Sequence, residues 1–98
     1  MCMLDKVREK REEIYELARK NHAEKLWLFG SCARKEERPD SDVDFLVQFD
    51  GHASLFDACD IKDGLERQLN RKADVVSYKC ILDDSMFSHM VKRDMVAI

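Results

Sequence analysis

The sequence has no long hydrophobic run, and this absence argues against a membrane-spanning helix. Such a helix needs roughly 20 predominantly apolar residues to cross a bilayer, and no stretch of the chain approaches that length. The N-terminal stretch MCMLDKVREKREE also lacks the apolar centre of a signal peptide. We therefore expect a cytoplasmic protein that makes no contact with a membrane.

Internal repeats, linkers and low-complexity segments are also absent from the sequence. The length of 98 residues suits one hydrophobic core, since a chain of this size buries somewhat over about 60% of its unfolded surface. A hydrophobic content of 45% with a charged content of 38% is typical of a globular protein with a heavily charged exterior. We expect a single minimal domain over residues 1–98.

Two further absences concern partners and redox chemistry. The net charge of −3 lacks the basic excess that usually accompanies binding to a nucleic-acid backbone, so no direct nucleic-acid binding is expected. The cysteines form no C-x-x-C pair and have no metal-like spacing with histidine, which favours free and largely structural thiols in a reducing compartment. They stand at positions 2, 32, 59 and 80.

The spacing of apolar residues predicts helices that alternate with strands. Helices are expected over residues 4–22, 32–37, 54–69 and from about 85 onward, and strands over residues 25–29, 43–49 and 73–78. Ser31 is expected to cap the second helix, and Gly64 to weaken the third. The order αβαβαβα predicts an α/β (α+β) fold, in which helices pack on a small mixed β-sheet.

Three aspartates stand at the predicted strand starts. Asp42 and Asp44 flank the first residue of the second strand, where side chains two apart share a face at roughly 7 Å spacing. Asp74 lies near the start of the third strand, so the three acids meet at one sheet edge if these strands are neighbours. The three negative charges would repel one another and raise the pKa values of the acids, unless a divalent cation offsets the repulsion. Ligands that are all oxygen favour Mg²⁺ or Mn²⁺.

A turn suited to phosphate precedes these acids. Gly30 and Ser31 leave the first strand, and ten residues separate them from Asp42. Glycine lets a backbone approach a phosphate, the Ser31 hydroxyl adds a donor, and Arg34 follows about one turn later. Each feature alone has an ordinary explanation, as a solvated turn acid, a helix cap or a surface arginine. Their combination in this order favours a site for a metal ion and phosphate.

These elements resemble the nucleotidyltransferase superfamily that includes DNA polymerase β, and above all its minimal, MNT-type members. The matching segments are Gly30-Ser31-x-Ala33-Arg34, Ser41-Asp42-x-Asp44-Phe45-Leu46-Val47 and Ala73-Asp74-Val75-Val76. The resemblance covers nearly the whole chain. It implies a transfer of AMP from ATP to a hydroxyl, with release of pyrophosphate and with two divalent ions, Mg²⁺ or Mn²⁺, as cofactors.

The resemblance also implies a role for each matching residue. Asp42 and Asp44 would hold the two metal ions, and Asp74 would complete one metal shell and help to deprotonate the attacking hydroxyl. Nucleotide binding would fall to Gly30 and Ser31, with contributions from Arg34 and Ser41.

Two positions depart from the family pattern. Cys32 stands where the family often has arginine, and Lys35 where it often has glycine. We expect the first change to weaken a phosphate contact and the second to alter the exit from the short helix. Neither change touches the acids.

The family resemblance further implies a partner. MNT-type proteins are commonly paired with a HEPN toxin, and in that pairing the MNT protein adenylylates a tyrosine of the toxin and acts as its antitoxin. One alternative is a binding module that neutralises its partner by contact alone. Another is a transferase for a small molecule such as an aminoglycoside, with a homodimer supplying the acceptor pocket.

Overall fold

The computed structural model describes residues 2–98. Its helices are α1 (Met3–Glu9), α2 (Arg11–Lys20), α3 (Gly30–Ala33), α4 (Leu55–Leu69) and α5 (Met86–Asp94). Its strands are β1 (Ala23–Phe29), β2 (Val43–Phe49), β3 (Ala73–Ser77) and β4 (Val96–Ala97), and a short 3-10 helix (Tyr78–Ile81) follows β3. The predicted mixture of helices on a small sheet is confirmed. Within residues 2–98, none of the helices is long and apolar enough to cross a membrane.

The sheet is mixed, with the strand order β3-β2-β1-β4. β2 and β3 run parallel, whereas β1 is antiparallel to both β2 and β4. The sequence pattern did not predict β4, which adds a strand to the end of the expected order. It pairs only Val96 and Ala97 with β1, and two residues are too few to produce a recognisable alternation.

The single helix predicted over residues 4–22 is two helices, because the chain leaves helical geometry at Lys10 (φ −97°, ψ 15°). The Lys10 Nζ donates to the carbonyl of Gln68 at 2.7 Å, and the Lys6 Nζ donates to that of Leu69 at 3.2 Å. Both lysines thus satisfy carbonyl groups at the C-terminus of α4. The break coincides with this tertiary contact, which helical periodicity does not reveal.

Gly64 lies in the middle of α4, where it serves packing. A Cβ on Gly64 would lie 2.5 Å from the Leu17 Cδ2 atom, so the glycine lets α2 approach α4 closely. The helix starts with a capping box between Ser54 and Asp57, and it ends at Asn70 in the left-handed conformation (φ 53°). The weakness expected at Gly64 is therefore compensated by close packing and by both ends of the helix.

The two faces of the sheet carry different structures. One face packs under α1, α2 and α4 with a large apolar cluster that includes Phe45. The opposite face packs Phe29 and Leu46 against Ile81 of the 3-10 helix and Val91 of α5. Because side chains alternate along a strand, Asp44 shares this second face with Leu46. The acids therefore belong to the face that α5 covers.

Candidate active site

The sheet brings the predicted acids together. In the parallel pairing of β2 with β3, Asp44 lies directly opposite Asp74, so both carboxylates leave the same face at the same level. Asp42 precedes β2 by one residue. Asp42 and Asp74 are exposed, whereas Asp44 is partly buried.

The three acids influence one another electrostatically. The pKa of Asp44 is raised to about 6, first by burial and then by the negative charges of Asp74 and Asp42. Within residues 2–98, however, no three carboxylate, thiol or imidazole side chains are arranged closely enough to hold a metal ion. The acids thus form a coupled but open group, in which Asp44 is the most desolvated member.

Gly30 lies against this group. In the antiparallel pairing of β1 with β2, Phe29 is opposite Asp44, and the next residue is Gly30 with φ of 74°. A Cβ at position 30 would lie 2.5 Å from the Asp44 Oδ2 atom. Glycine is therefore required for two reasons, because the backbone is left-handed and because the Asp44 carboxylate occupies the space of a side chain.

The helix that follows is shorter than expected and starts earlier. The predicted cap at Ser31 is wrong, because α3 covers Gly30–Ala33 and Phe29 is its N-cap, so that Ser31 lies in the first turn. Ser31 is partly buried beside Gly30.

The prediction that Lys35 alters the exit from this helix is also wrong. Lys35 adopts the left-handed conformation (φ 60°) that glycine would take. Its N–H donates to the Cys32 carbonyl at 3.2 Å, and the N–H of Glu36 donates to the Ser31 carbonyl at 2.9 Å. These two bonds form a Schellman motif. The chain thus keeps the usual helix exit and accepts backbone strain at Lys35.

Cys32 is a core residue behind the acids. Its side chain is fully buried, and its Sγ donates weakly to the Asp42 carbonyl at 3.7 Å. Burial, with the nearby charge of Glu37, raises the pKa of the thiol to about 11. The thiol is therefore neutral and packs against the backbone that carries Asp42.

Arg34 connects the glycine-serine turn to α5. Its guanidinium pairs with the buried carboxylate of Asp94, and its Nε pairs with Glu36 at 3.1 Å. The Arg93 Nε binds the other Asp94 oxygen at 3.1 Å, and the two arginines hold the pKa of Asp94 below its usual range. A phosphate contact by Arg34 stays a prediction, since both of these ion pairs occupy its side chain.

Ser41 and Arg71 organise the segment just before Asp42. The Ser41 Oγ accepts the N–H of Arg38 at 2.9 Å, which closes a tight turn. Arg71 donates to the Arg38 carbonyl at 3.1 Å and also to the Ser41 carbonyl. The sequence pattern did not point to Arg71, because its partners lie 30 and 33 residues away.

The paired strand acids and the glycine-serine turn beside them are the features that the resemblance to nucleotidyltransferases rests on. The chain matches the family described as Polymerase beta, Nucleotidyltransferase over residues 12–97. It belongs to this family, and it is a nucleotidyltransferase.

Individual relatives agree with this assignment. The chain is 35% identical over 75 residues to MJ0435 of Methanocaldococcus jannaschii, named as a candidate protein adenylyltransferase, with 76% of this chain and 81% of that protein covered. A solved structure of a candidate minimal nucleotidyltransferase is 34% identical, with a TM-score of 0.82 over 100% of this chain and 97% of its own.

A more distant structure shares the fold alone. It is a tri-AMPylated Shewanella oneidensis HEPN toxin in complex with an MNT antitoxin, matched at 17% identity and a TM-score of 0.64. The match covers 92% of this chain and 69% of the other.

Proposed function

We propose that this protein is a metal-dependent adenylyltransferase that transfers AMP from ATP to a tyrosine hydroxyl of a HEPN-class toxin and thereby acts as the antitoxin. The observation that carries this proposal is the pairing of Asp44 with Asp74 beside Gly30. It is supported by the relative named as a candidate protein adenylyltransferase and by the fold shared with an MNT antitoxin.

The chemistry of the donor set suits a divalent cation, which would draw the three side chains of the open group together. All three side chains offer carboxylate oxygens, and burial together with the charges of Asp74 and Asp42 raises the pKa of Asp44. Asp42 and Asp44 would hold two ions, Mg²⁺ or Mn²⁺, and Asp74 would complete the shell of one. When bound, the ions supply positive charge that stabilises the attacking and leaving oxygens of a phosphoryl displacement.

The chain's own groups bind and orient the reactants. Gly30 lets the backbone of the turn come close to the Asp44 carboxylate, beside which the triphosphate would bind, and Ser31 offers a hydroxyl donor next to it. Ser41 holds the turn that presents Asp42, close to where the nucleotide binds. Arg34 would reach a phosphate only by leaving Asp94 or Glu36.

The reaction is a displacement at the α-phosphate. The tyrosine oxygen forms a bond to the α-phosphorus, and the bond from that phosphorus to the bridging oxygen breaks, so pyrophosphate leaves. The hydroxyl proton would pass to Asp74, whose carboxylate is exposed and can therefore be reached by an acceptor.

The coupled acids argue against a purely structural binding module. Keeping Asp44 partly buried next to two other carboxylates costs folding free energy, as its raised pKa indicates. A module that acts by contact alone gains nothing from this cost. Transfer to a small molecule, with a homodimer completing the acceptor pocket, is the second candidate.

Protection from the toxin tests the proposal. Cells that express the toxin encoded by the neighbouring gene would receive the wild type or the Asp42→Asn/Asp44→Asn variant. We expect the wild type to restore growth and the variant to fail, although both form the complex in a pull-down. Equal protection by the two proteins would refute the catalytic mechanism.

A further inference from the structure

Beside the acids, α5 presents a small apolar surface that the proposed reaction does not yet use. Phe87 is 42% exposed and Met90 is 44% exposed. The two residues are three positions apart on one helix, so their side chains are neighbours on its surface. We call this pair the α5 platform.

The platform is held in place next to the candidate active site. The Phe87 ring packs edge-to-face on Phe29, with 6.3 Å between centroids and an interplanar angle of 88°. Phe29 is buried, lies opposite Asp44 in the β1–β2 pairing and directly precedes Gly30. The Phe87 ring therefore packs on a residue that neighbours Asp44 across the strands and Gly30 along the chain.

A second contact holds the other end of α5 near the glycine-serine turn. At its C-terminal end, Asp94 pairs with Arg34, just after α3. The helix is thus anchored on both sides of the turn, at Phe29 and at Arg34. This double anchoring fixes the distance between the platform and the phosphate-binding residues.

We propose that Phe87, with Met90, is the surface on which the adenine base of ATP stacks. This inference rests on the proposed function and adds to it the recognition of the base. A flat aromatic ring and a polarizable thioether suit the face of a purine. Neither side chain has a hydrogen-bond donor or a strong acceptor, so the platform selects for a flat ring and leaves the choice between adenine and guanine open.

Met86 is also exposed and stands one residue before Phe87 on α5, whereas Phe56 lies elsewhere and serves as a control. Phe56 is 81% exposed at the start of α4, which follows the C-terminal end of β2. The acids are at the N-terminal ends of β2 and β3, at the opposite end of the sheet. Phe56→Ala removes an exposed ring without touching the surroundings of Asp44.

The test compares two ligands by calorimetry in the presence of Mg²⁺, ATP and inorganic triphosphate. We expect Phe87→Ala to weaken ATP binding about ten-fold, in the range of base–aromatic stacking, and to leave triphosphate binding unchanged. Phe87→Trp should retain ATP binding, Phe87→Leu should lose most of it, and Phe56→Ala should behave like the wild type. Thermal unfolding of each variant confirms that it is folded.

Several results would overturn the inference. Unchanged ATP binding in Phe87→Ala would exclude the base contact, and a higher KM for the acceptor protein in the same variant would assign the platform to the partner. An equal loss for ATP and triphosphate would indicate that Phe87 only positions the turn. If the wild type binds ATP no more tightly than triphosphate, the inference about the base fails and the proposed function stands. If it binds neither ligand, the proposed function fails as well.

Discussion

Gly30 and Asp44 fit against each other so closely that no side chain can be placed between them. A Cβ on residue 30 would lie 2.5 Å from the Asp44 Oδ2 atom, and the residue has a φ of 74°. The same glycine thus permits the turn that would receive phosphate and positions Asp44, the most buried of the three clustered acids. Loss of this fit should affect both stability and catalysis.

Gly30→Ala should therefore be damaging in two ways. The left-handed backbone alone costs about 1–2 kcal/mol for a residue with a Cβ, and the displaced Asp44 should lower AMP transfer by about a hundred-fold. Chemical denaturation and a transfer assay measure the two effects. Gly51→Ala is the matched control, because a Cβ there would meet no atom of the described chain within 4 Å. Wild-type activity in Gly30→Ala would contradict this explanation.

Asp44 should make stability depend on pH in the absence of metal. Its pKa is raised from 3.8 to about 6 in the folded protein, so folding disfavours the charged form. The contribution of Asp44 to stability is therefore fully present below the unfolded pKa and is lost as the pH rises from about 4 to about 6. Above about pH 6 this group causes no further loss. Asp44→Asn removes this effect.

The difference in stability between the wild type and Asp44→Asn gives the size of the effect. In EDTA, Asp44→Asn should be more stable than the wild type by about 1–2 kcal/mol at pH 7, after allowance for solvent screening, and nearly equal at pH 4. Mg²⁺ should reverse the order at pH 7 by stabilising only the wild type. Asp60→Asn, exposed on α4, is the control. A less stable Asp44→Asn in EDTA would show that neither burial nor repulsion destabilises the charged Asp44.

Lys35 carries strain that glycine would relieve. Its φ of 60° is left-handed, and the lower backbone freedom of lysine offsets only part of the strain. We expect Lys35→Gly to raise the free energy of unfolding by about 0.5–1 kcal/mol. Lys62→Gly, within α4, should instead lower it by about 1 kcal/mol. Destabilisation of similar size by both changes would place Lys35 in an ordinary conformation.

Arg71 should matter for catalysis more than its sequence position indicates. It holds the carbonyls of Arg38 and Ser41 and thereby fixes the chain that enters Asp42. Arg71→Gln should reduce kcat about ten- to hundred-fold through misplacement of this acid. It should also raise the Mg²⁺ concentration needed for half-maximal rate, which a general loss of stability would not do. Arg67→Gln, on the exposed last turn of α4, should leave both values unchanged.

Local patterns were sufficient for much of the fold. β2 has the bounds predicted, because a buried apolar run between turn residues identifies a strand well. α4 and α5 each start one residue after the predicted positions 54 and 85, where Ser54 and Ser85 are the N-cap residues. The neighbouring placement of Asp44 and Asp74 was predicted on the condition that β2 and β3 are adjacent, and the sheet order fulfils that condition.

Features that depend on distant contacts could not be predicted in this way. The break at Lys10 is associated with a carbonyl 58 residues away, and Arg34 is paired with Asp94 at a separation of 60 residues. A helical pattern or a short motif contains no information on such partners. The left-handed conformation of Lys35 was not predicted for another reason. Lysine disfavours a positive φ, but the two hydrogen bonds of the Schellman motif impose it.

The central claim is nucleotidyl transfer at the paired acids, and labelled ATP tests it most directly. The protein would be incubated with Mg²⁺, the toxin encoded by the neighbouring gene, and ATP labelled at either the α- or the γ-phosphate. The account predicts that the α-label appears on a toxin tyrosine, that the γ-label is released in pyrophosphate, and that Asp42→Asn/Asp44→Asn transfers neither. Transfer of the γ-label, or equal α-labelling by the variant, would contradict it.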